Sequence, residues 1–283
     1  MVATFILYLR EGLEASLIVS LLFAALRQLG QMEQARAIWI GVLLAVLGSF
    51  GGGLAIYFTM HAYADTTFQT IFETATYLIA VVLLTTMTFW MQKHSRTMKK
   101  ELLAKASSAS SGFALGLLAF TSVGREGLES AFFTVAFAFG TNPFLSLAGG
   151  VLGIAVAIGL CVCIYRLGYR LDFRIFFRVM GILLLFFAAG LLADAIMNMQ
   201  RLGWLPVGTT TLWDTSRFLS QETVVGDLLH GIIGYSDAPT LLQVVCYVAF
   251  LLICGGIFAW MTRKPTPRHP ISSGDSGTMA GSA

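Results

Sequence analysis

The chain has 283 residues, of which 57% are hydrophobic and only 12% charged, and its mean hydropathy is +0.78. Soluble domains carry about a quarter of their residues as charged groups, so an ordinary globular domain is excluded. Apolar runs of about 20 residues, the length that crosses a bilayer, recur along nearly the whole sequence; a β-barrel, built from short alternating segments, does not fit them.

Taken in chain order, the pattern predicts seven transmembrane helices over 2–26, 38–60, 72–92, 112–139, 143–165, 175–198 and 241–262. The first is interrupted after nine residues by Arg10-Glu11-Gly12-Leu13-Glu14 and lacks a basic leader, so it reads as a retained span and not as a cleavable signal. The fourth carries the same pentapeptide, Arg125-Glu126-Gly127-Leu128-Glu129. All six prolines fall at or outside span ends, as residues that stop helices should. Small residues four apart, Gly48/Gly52, Gly112/Gly116 and Gly149/Gly153, are expected at close helix contacts. Cys161, Cys163, Cys246 and Cys254 lie in apolar segments and read as structural thiols. Between spans six and seven, Asp214 is expected to cap a surface helix over roughly 215–230. The reading is one seven-helix transmembrane domain over 1–262 and a disordered cytoplasmic tail over 263–283, rich in Pro, Ser and Gly.

Orientation follows from lysine and arginine placement. Fourteen of the 18 lie in the loops after spans one, three and five and in the tail, two (Arg201 and Arg217) lie on the other side, and two are in the pentapeptides. The N-terminus is therefore expected outside and the C-terminus in the cytoplasm. The net charge of +3 is a topology signal and implies no nucleic-acid partner; the basic run Lys93–Lys105 reads as a cytoplasmic loop near anionic lipid. Span one then runs inward and span four outward. Identical motifs on oppositely directed helices point to an inverted repeat of three spans plus three with a seventh appended, and transporters place their sites at such repeat interfaces near the midplane.

Each charge at a bilayer centre costs about 2.5–3.5 kcal/mol on insertion scales, so the six of the two motifs would cost about 15–20 kcal/mol uncompensated. On a helix, Arg10, Glu11 and Glu14 share an arc of about 100°, while Gly12 permits close approach of a neighbour; Arg125, Glu126 and Glu129 repeat the arrangement. Arginine can pair with glutamate within a helix or across the two. Four glutamates less two arginines leave the cluster negative, which suits a multivalent cation. Carboxylate oxygens favour hard ions, and no His or Cys lies in either motif to select copper(I) or zinc. The competing reading is a structural pin in which the charges neutralise each other between helices.

The two pentapeptides in a seven-span chain resemble the oxidase-dependent iron transporter (high-affinity ferric iron permease) family, of the bacterial EfeU type. Phe72-Glu73, Phe89-Trp90-Met91 and Gly234-Tyr235-Ser236-Asp237-Ala238-Pro239 add to the likeness. The resemblance implies a plasma- or inner-membrane permease importing iron, as Fe3+, with Glu11, Glu14, Glu126 and Glu129 as metal ligands and Arg10 and Arg125 as charge partners. It implies iron as transported substrate with no permanently bound cofactor, and iron-oxidising or iron-delivering partners in the periplasm or outside the cell. His230 departs from the family, in which an acidic residue precedes Gly-x-x-Gly-Tyr.

Secondary pathway candidates are Glu73, at the start of span three where the helix dipole favours a carboxylate, and Asp194, near the end of span six where the dipole disfavours one. Asp65, His61, His230 and Asp237 could give an outer vestibule an iron-attracting character, although scattered loop polars are mostly just solvated, and Met197 and Met199 read as packing. The alternatives are a permease for another cation, Pb2+ or Fe2+, or a seven-helix membrane sensor. A retinal version of the last fails because 241–262 contains no lysine, and a membrane enzyme would need a nucleophile or redox centre that the sequence does not offer.

Overall fold

The computed structural model describes residues 2–28, 30, 32–62, 67–94, 111–138, 143–167, 173–221 and 223–263. Seven long helices occur among them: α1 (Val2–Gln28), α2 (Ala35–Ala62), α3 (Thr67–His94), α4 (Gly112–Ala138), α5 (Pro143–Leu167), α6 (Phe173–Arg201) and α8 (Leu241–Arg263). A 3-10 turn, Met32–Gln34, leads into α2, and a short helix α7 (Val224–Ile233) precedes α8. No strand is present among the described residues; one isolated bridge joins Thr211 to Thr240. The expected tail and most of the basic run Lys93–Lys105 lie outside the described residues.

The long helices have 23 to 29 residues, about 35–44 Å at 1.5 Å per residue, against a hydrocarbon core of about 30 Å. Five contain a stretch long and apolar enough to cross a membrane. The two that do not, α1 and α4, are those that carry the charged pentapeptides. Large apolar side chains stand outward on α2 (Trp39, Leu43, Phe50) and α8 (Leu252, Ile253, Trp260). Arg10, Glu11, Glu14 and Glu126 are instead buried, the reverse of a soluble bundle.

Helix α6 is the most enclosed of the apolar helices; its Leu184, Ala188 and Ala195 meet Leu7 of α1, Leu84 of α3 and Phe133 of α4 in the main core. The most extensive pairings are α2 with α4, α1 with α5, and α3 with α6, while α1 also lies along α4. Exchanging α1–α3 for α4–α6 turns the first pairing into the second and leaves the other two unchanged. The register matches as well. A Cβ on Gly12 would lie 2.8 Å from Ala157 Cβ, and one on Gly127 would lie 2.9 Å from Ser49 Cβ. One turn earlier, Gly153 packs on Leu9 in one pair and Gly124 on Ala45 in the other. The glycine inside each pentapeptide is thus a point at which the motif helix touches its partner.

Two expectations are corrected. Gly48 meets no neighbour, and Gly52 reaches only Leu128, so this pair is not a tight contact; α4 lies on a different face of α2, which spacing alone does not reveal. The surface helix starts at Val224, not near 215. Thr223 is its N-cap, accepting from Gly226 N at 3.1 Å, and Gly234 closes it in the left-handed region at φ 67°. Asp214 instead closes a local turn, accepting from Ser216 N at 3.0 Å and Ser216 Oγ at 2.6 Å. These bonds hold its carboxyl below the usual aspartate range. Gly190 on α6 and Gly234 stack closely enough that a Cβ on Gly190 would meet Gly234 Cα at 2.8 Å, which seats α7 against α6.

Candidate metal site between the two pentapeptides

Helices α1 and α4 bring their pentapeptides face to face. One carboxylate oxygen from each of Glu11, Glu126 and Glu129 lies within 4.8 Å of the others. Three donors sharing one ion with bonds of about 2.2 Å stand about 3.1–3.8 Å apart, so these oxygens would have to draw together for all three to share one ion. Glu14 stands outside this triplet and is held by Arg10.

The arginines pair within their own helices. Arg10 Nη1 donates to Glu11 Oε1 at 2.9 Å, and Arg10 Nε lies 3.0 Å from Glu14 Oε1. Arg125 Nε donates to Glu129 Oε1 at 2.9 Å and is 3.9 Å from Glu126 Oε1. Glu126 is therefore the least compensated of the four. The two copies differ in surroundings: the Arg10 side chain is 2% exposed and that of Arg125 49%. Arg125 Cζ sits 5.3 Å from the Trp90 ring, a cation–π contact.

The site is not closed upon itself. Glu11 Oε2, Glu126 Oε2 and Arg10 Nη2 are buried and have no hydrogen-bond partner. A structural pin would satisfy such groups, since an unpaired buried polar atom costs about 1–3 kcal/mol and more for a charge. The unsatisfied oxygens leave coordination capacity for a cation.

The iron permease FTR1 family matches residues 1–266. Ferrous iron permease EfeU of Escherichia coli O157:H7 is 37% identical over 261 residues, covering 89% of this chain and 93% of its own length. The protein of the same name from Shigella sonnei gives the same figures, and that from Yersinia pestis is 34% identical over 258 residues, covering 89% and 91%. No solved structure matches. The chain belongs to the iron permease FTR1 family. It is a multi-pass membrane transporter and not an enzyme.

In this permease the secondary candidates gather at the end of the bundle that carries the 202–240 segment. Glu73 lines an open cavity of about 550 Å3 with Gln69, Asn198 and Arg201. Its Oε1 accepts from Gln69 Nε2 at 3.0 Å and its Oε2 from Asn198 Nδ2 at 3.4 Å. Asp194 Oδ2 lies 3.4 Å from His230 Nε2 of α7. Asp237 Oδ2 accepts from Gln221 N at 3.4 Å, a role within the loop. Asp65 lies outside the described residues.

Sequence reasoning missed Trp90 as the partner of Arg125, Asn198 as the partner of Glu73, and the hydrogen bond of 2.7 Å between Tyr8 and Thr134 that ties α1 to α4. Asn198 had a readable signal, because it lies one turn from Asp194 on the same face of α6. Trp90 had none, since its contact joins helices far apart in sequence.

Proposed function

We propose that the chain imports iron across the bacterial inner membrane and that the ion binds between α1 and α4. The observation that carries this is the oxygen cluster of Glu11, Glu126 and Glu129 with its buried, unpartnered atoms. Glu126 anchors the ion because no arginine compensates it closely, and Glu14 with Arg10 holds the site's geometry when empty. The oxygen-only donor set is hard and favours Fe3+ over softer ions. A second reading, Fe2+, is favoured by the relatives, which are named ferrous iron permeases.

In the same reading the seven long helices all span the membrane, with the N-terminus outside and the tail cytoplasmic. The exchangeable pairings α1–α5 and α2–α4 and the matched glycine contacts support a 3+3 inverted repeat with α8 appended. The cavity at Glu73 is then the outer approach. Iron-oxidising or iron-delivering proteins outside the membrane would hand the ion over there.

Uptake of radiolabelled iron into proteoliposomes tests the reading, with Fe2+, Fe3+ and Pb2+ offered separately. Glu126→Gln keeps size and removes the charge, and its transport should be lost. Wild-type rates in that variant would overturn the proposed site, and equal uptake of Pb2+ would overturn the choice of iron.

A further inference from the structure

Residue numbers run in opposite directions along the seam between α1 and α4. Tyr8 bonds to Thr134, Glu11 meets Glu126 and Glu129, and Ile18 and Leu22 pack with Leu115 and Ala119. The same pentapeptide on antiparallel helices therefore sets its two arginines at opposite ends of the carboxylate cluster, Arg10 toward Tyr8 and Arg125 toward Leu22. Beyond each end the seam is closed by apolar packing, with Leu7 and Phe133 on one side and Leu22, Leu115 and Ala119 on the other, all at most 1% exposed. Among the described residues the cluster is open sideways at one edge. The side chains of Arg10, Glu11, Glu14 and Glu126 are at most 7% exposed, against 19% for Glu129 and 49% for Arg125.

At that edge Arg125 and a bound ion would contend for the same carboxylates. Arg125 Nε is 2.9 Å from Glu129 Oε1 and 3.9 Å from Glu126 Oε1, so two of the three ligands in the cluster already face a positive charge. A multivalent cation there would stand close to the guanidinium whichever oxygens it took, and poorly screened like charges at short range repel strongly. Arg10 is walled in and cannot move aside. Arg125 can, because half of it is exposed and the Trp90 ring, 5.3 Å from its Cζ, offers a cation–π berth beside the cluster. We infer that Arg125 is a tethered counter-cation that gates the open edge of the site. It rests on Glu129 when the site is empty, withdraws toward Trp90 when the ion binds, and returns to drive release. This gate presupposes the metal site proposed above, and it gives the two copies of the motif different tasks: Arg10 fixes the ligands, and Arg125 sets how tightly and how long the ion is held.

The sign of one change decides. An arginine that only props up its ligands would, on removal, weaken iron binding; a competitor, on removal, would tighten it. The full chain in detergent is offered radiolabelled Fe2+ anaerobically and Fe3+ separately, with Kd read by equilibrium dialysis and dissociation by a chase with unlabelled iron. Arg125→Gln should lower Kd about fivefold, the equivalent of a strong exposed ion pair, and slow dissociation by a like factor. In proteoliposomes KM and kcat should then fall together, because release becomes limiting. Arg125→Lys keeps the charge and should stay close to wild type. Thermal unfolding of each variant separates a change in binding from loss of the fold. Weaker binding or unchanged dissociation in folded Arg125→Gln would overturn the gate. Equal tightening in Arg125→Lys would overturn it too, because the charge would then not be the cause. Wild-type iron binding by Glu126→Gln is a distinct result: it removes the α1–α4 site itself, and the gate with it, whatever the Arg125 variants do.

Discussion

The carboxylates of Glu11 and Glu126, one from each pentapeptide, approach across α1 and α4 to within 4.8 Å, and each keeps one buried oxygen without a partner. Two like charges so close repel, and each alone disfavours burial. The arrangement persists because α1 and α4 are each clamped elsewhere, at Gly12 against Ala157 and at Gly127 against Ser49. The helices, not the carboxylates, set the distance. A metal ion bound between them would convert the repulsion into attraction.

If so, iron should stabilise the protein against unfolding, and the gain should depend on Glu11 and Glu126 together. At an iron concentration one hundred times the dissociation constant, binding to the folded state alone adds about 2.7 kcal/mol. Thermal unfolding in detergent should show that increase in the wild type and none in Glu11→Gln/Glu126→Gln. An equal increase in both proteins would place the ion elsewhere.

The arginines should not be equivalent. Arg10 is enclosed and bonded to both Glu11 and Glu14, so Arg10→Leu strands two buried carboxylates, a change that typically costs about 3–5 kcal/mol. Arg125 is half exposed on the bundle surface and holds chiefly Glu129; its replacement strands one carboxylate instead of two and should cost clearly less than that of Arg10. Unfolding midpoints of Arg10→Leu and Arg125→Leu, compared without iron, check this. Equal losses would contradict the asymmetry.

The helix boundaries were legible because this chain marks them chemically. Pro143 opens α5, many basic residues stand in or near the terminal turns, as Arg27, Arg36, Lys93, Arg166 and Arg263 do, and the apolar runs leave little choice of length. The pentapeptides were legible because charge inside an apolar run is conspicuous. What the sequence did not carry was direction across space. Arginine pairing within the helix and pairing across helices are equally compatible with Arg10-Glu11-Gly12-Leu13-Glu14, and only packing decides. Asp214 and Thr223 both have N-cap chemistry, and the loop's contacts made Thr223 the cap. Gly48 and Gly12 look alike in the sequence, yet one meets nothing and the other meets Ala157. The pairing of Asp194 with His230 depends on a glycine stack, Gly190 on Gly234, that no local pattern announces.

Glu73 should govern the approach of the ion and not its passage. It sits in the wall of the open cavity beside Arg201, and among the described residues its hydrogen bonds come from the neutral donors Gln69 and Asn198. Glu73→Gln removes one charged contact, worth about 1.5 kcal/mol at the low end. Iron uptake should then show a KM raised about tenfold with kcat unchanged. A fall in kcat at saturating iron would assign Glu73 to the rate-limiting step instead.

The matched glycines allow the strictest test of the architecture. A methyl group on Gly12 would stand 2.8 Å from Ala157 Cβ, well inside the 3.5–4.0 Å at which carbons attract. Gly12→Ala should therefore destabilise by about 1–3 kcal/mol, the usual cost of overpacking, and Ala157→Gly should restore much of the loss by removing the opposing methyl. The equivalent pair in the other half is Gly127→Ala with Ser49→Gly, where the methyl would meet Ser49 Cβ at 2.9 Å. Double-mutant cycles on thermal unfolding should give a favourable coupling in both pairs and none in the crossed combinations, Gly12→Ala with Ser49→Gly or Gly127→Ala with Ala157→Gly. Rescue by the crossed partner, or by neither, would show that α1 does not meet α5 in the register with which α4 meets α2.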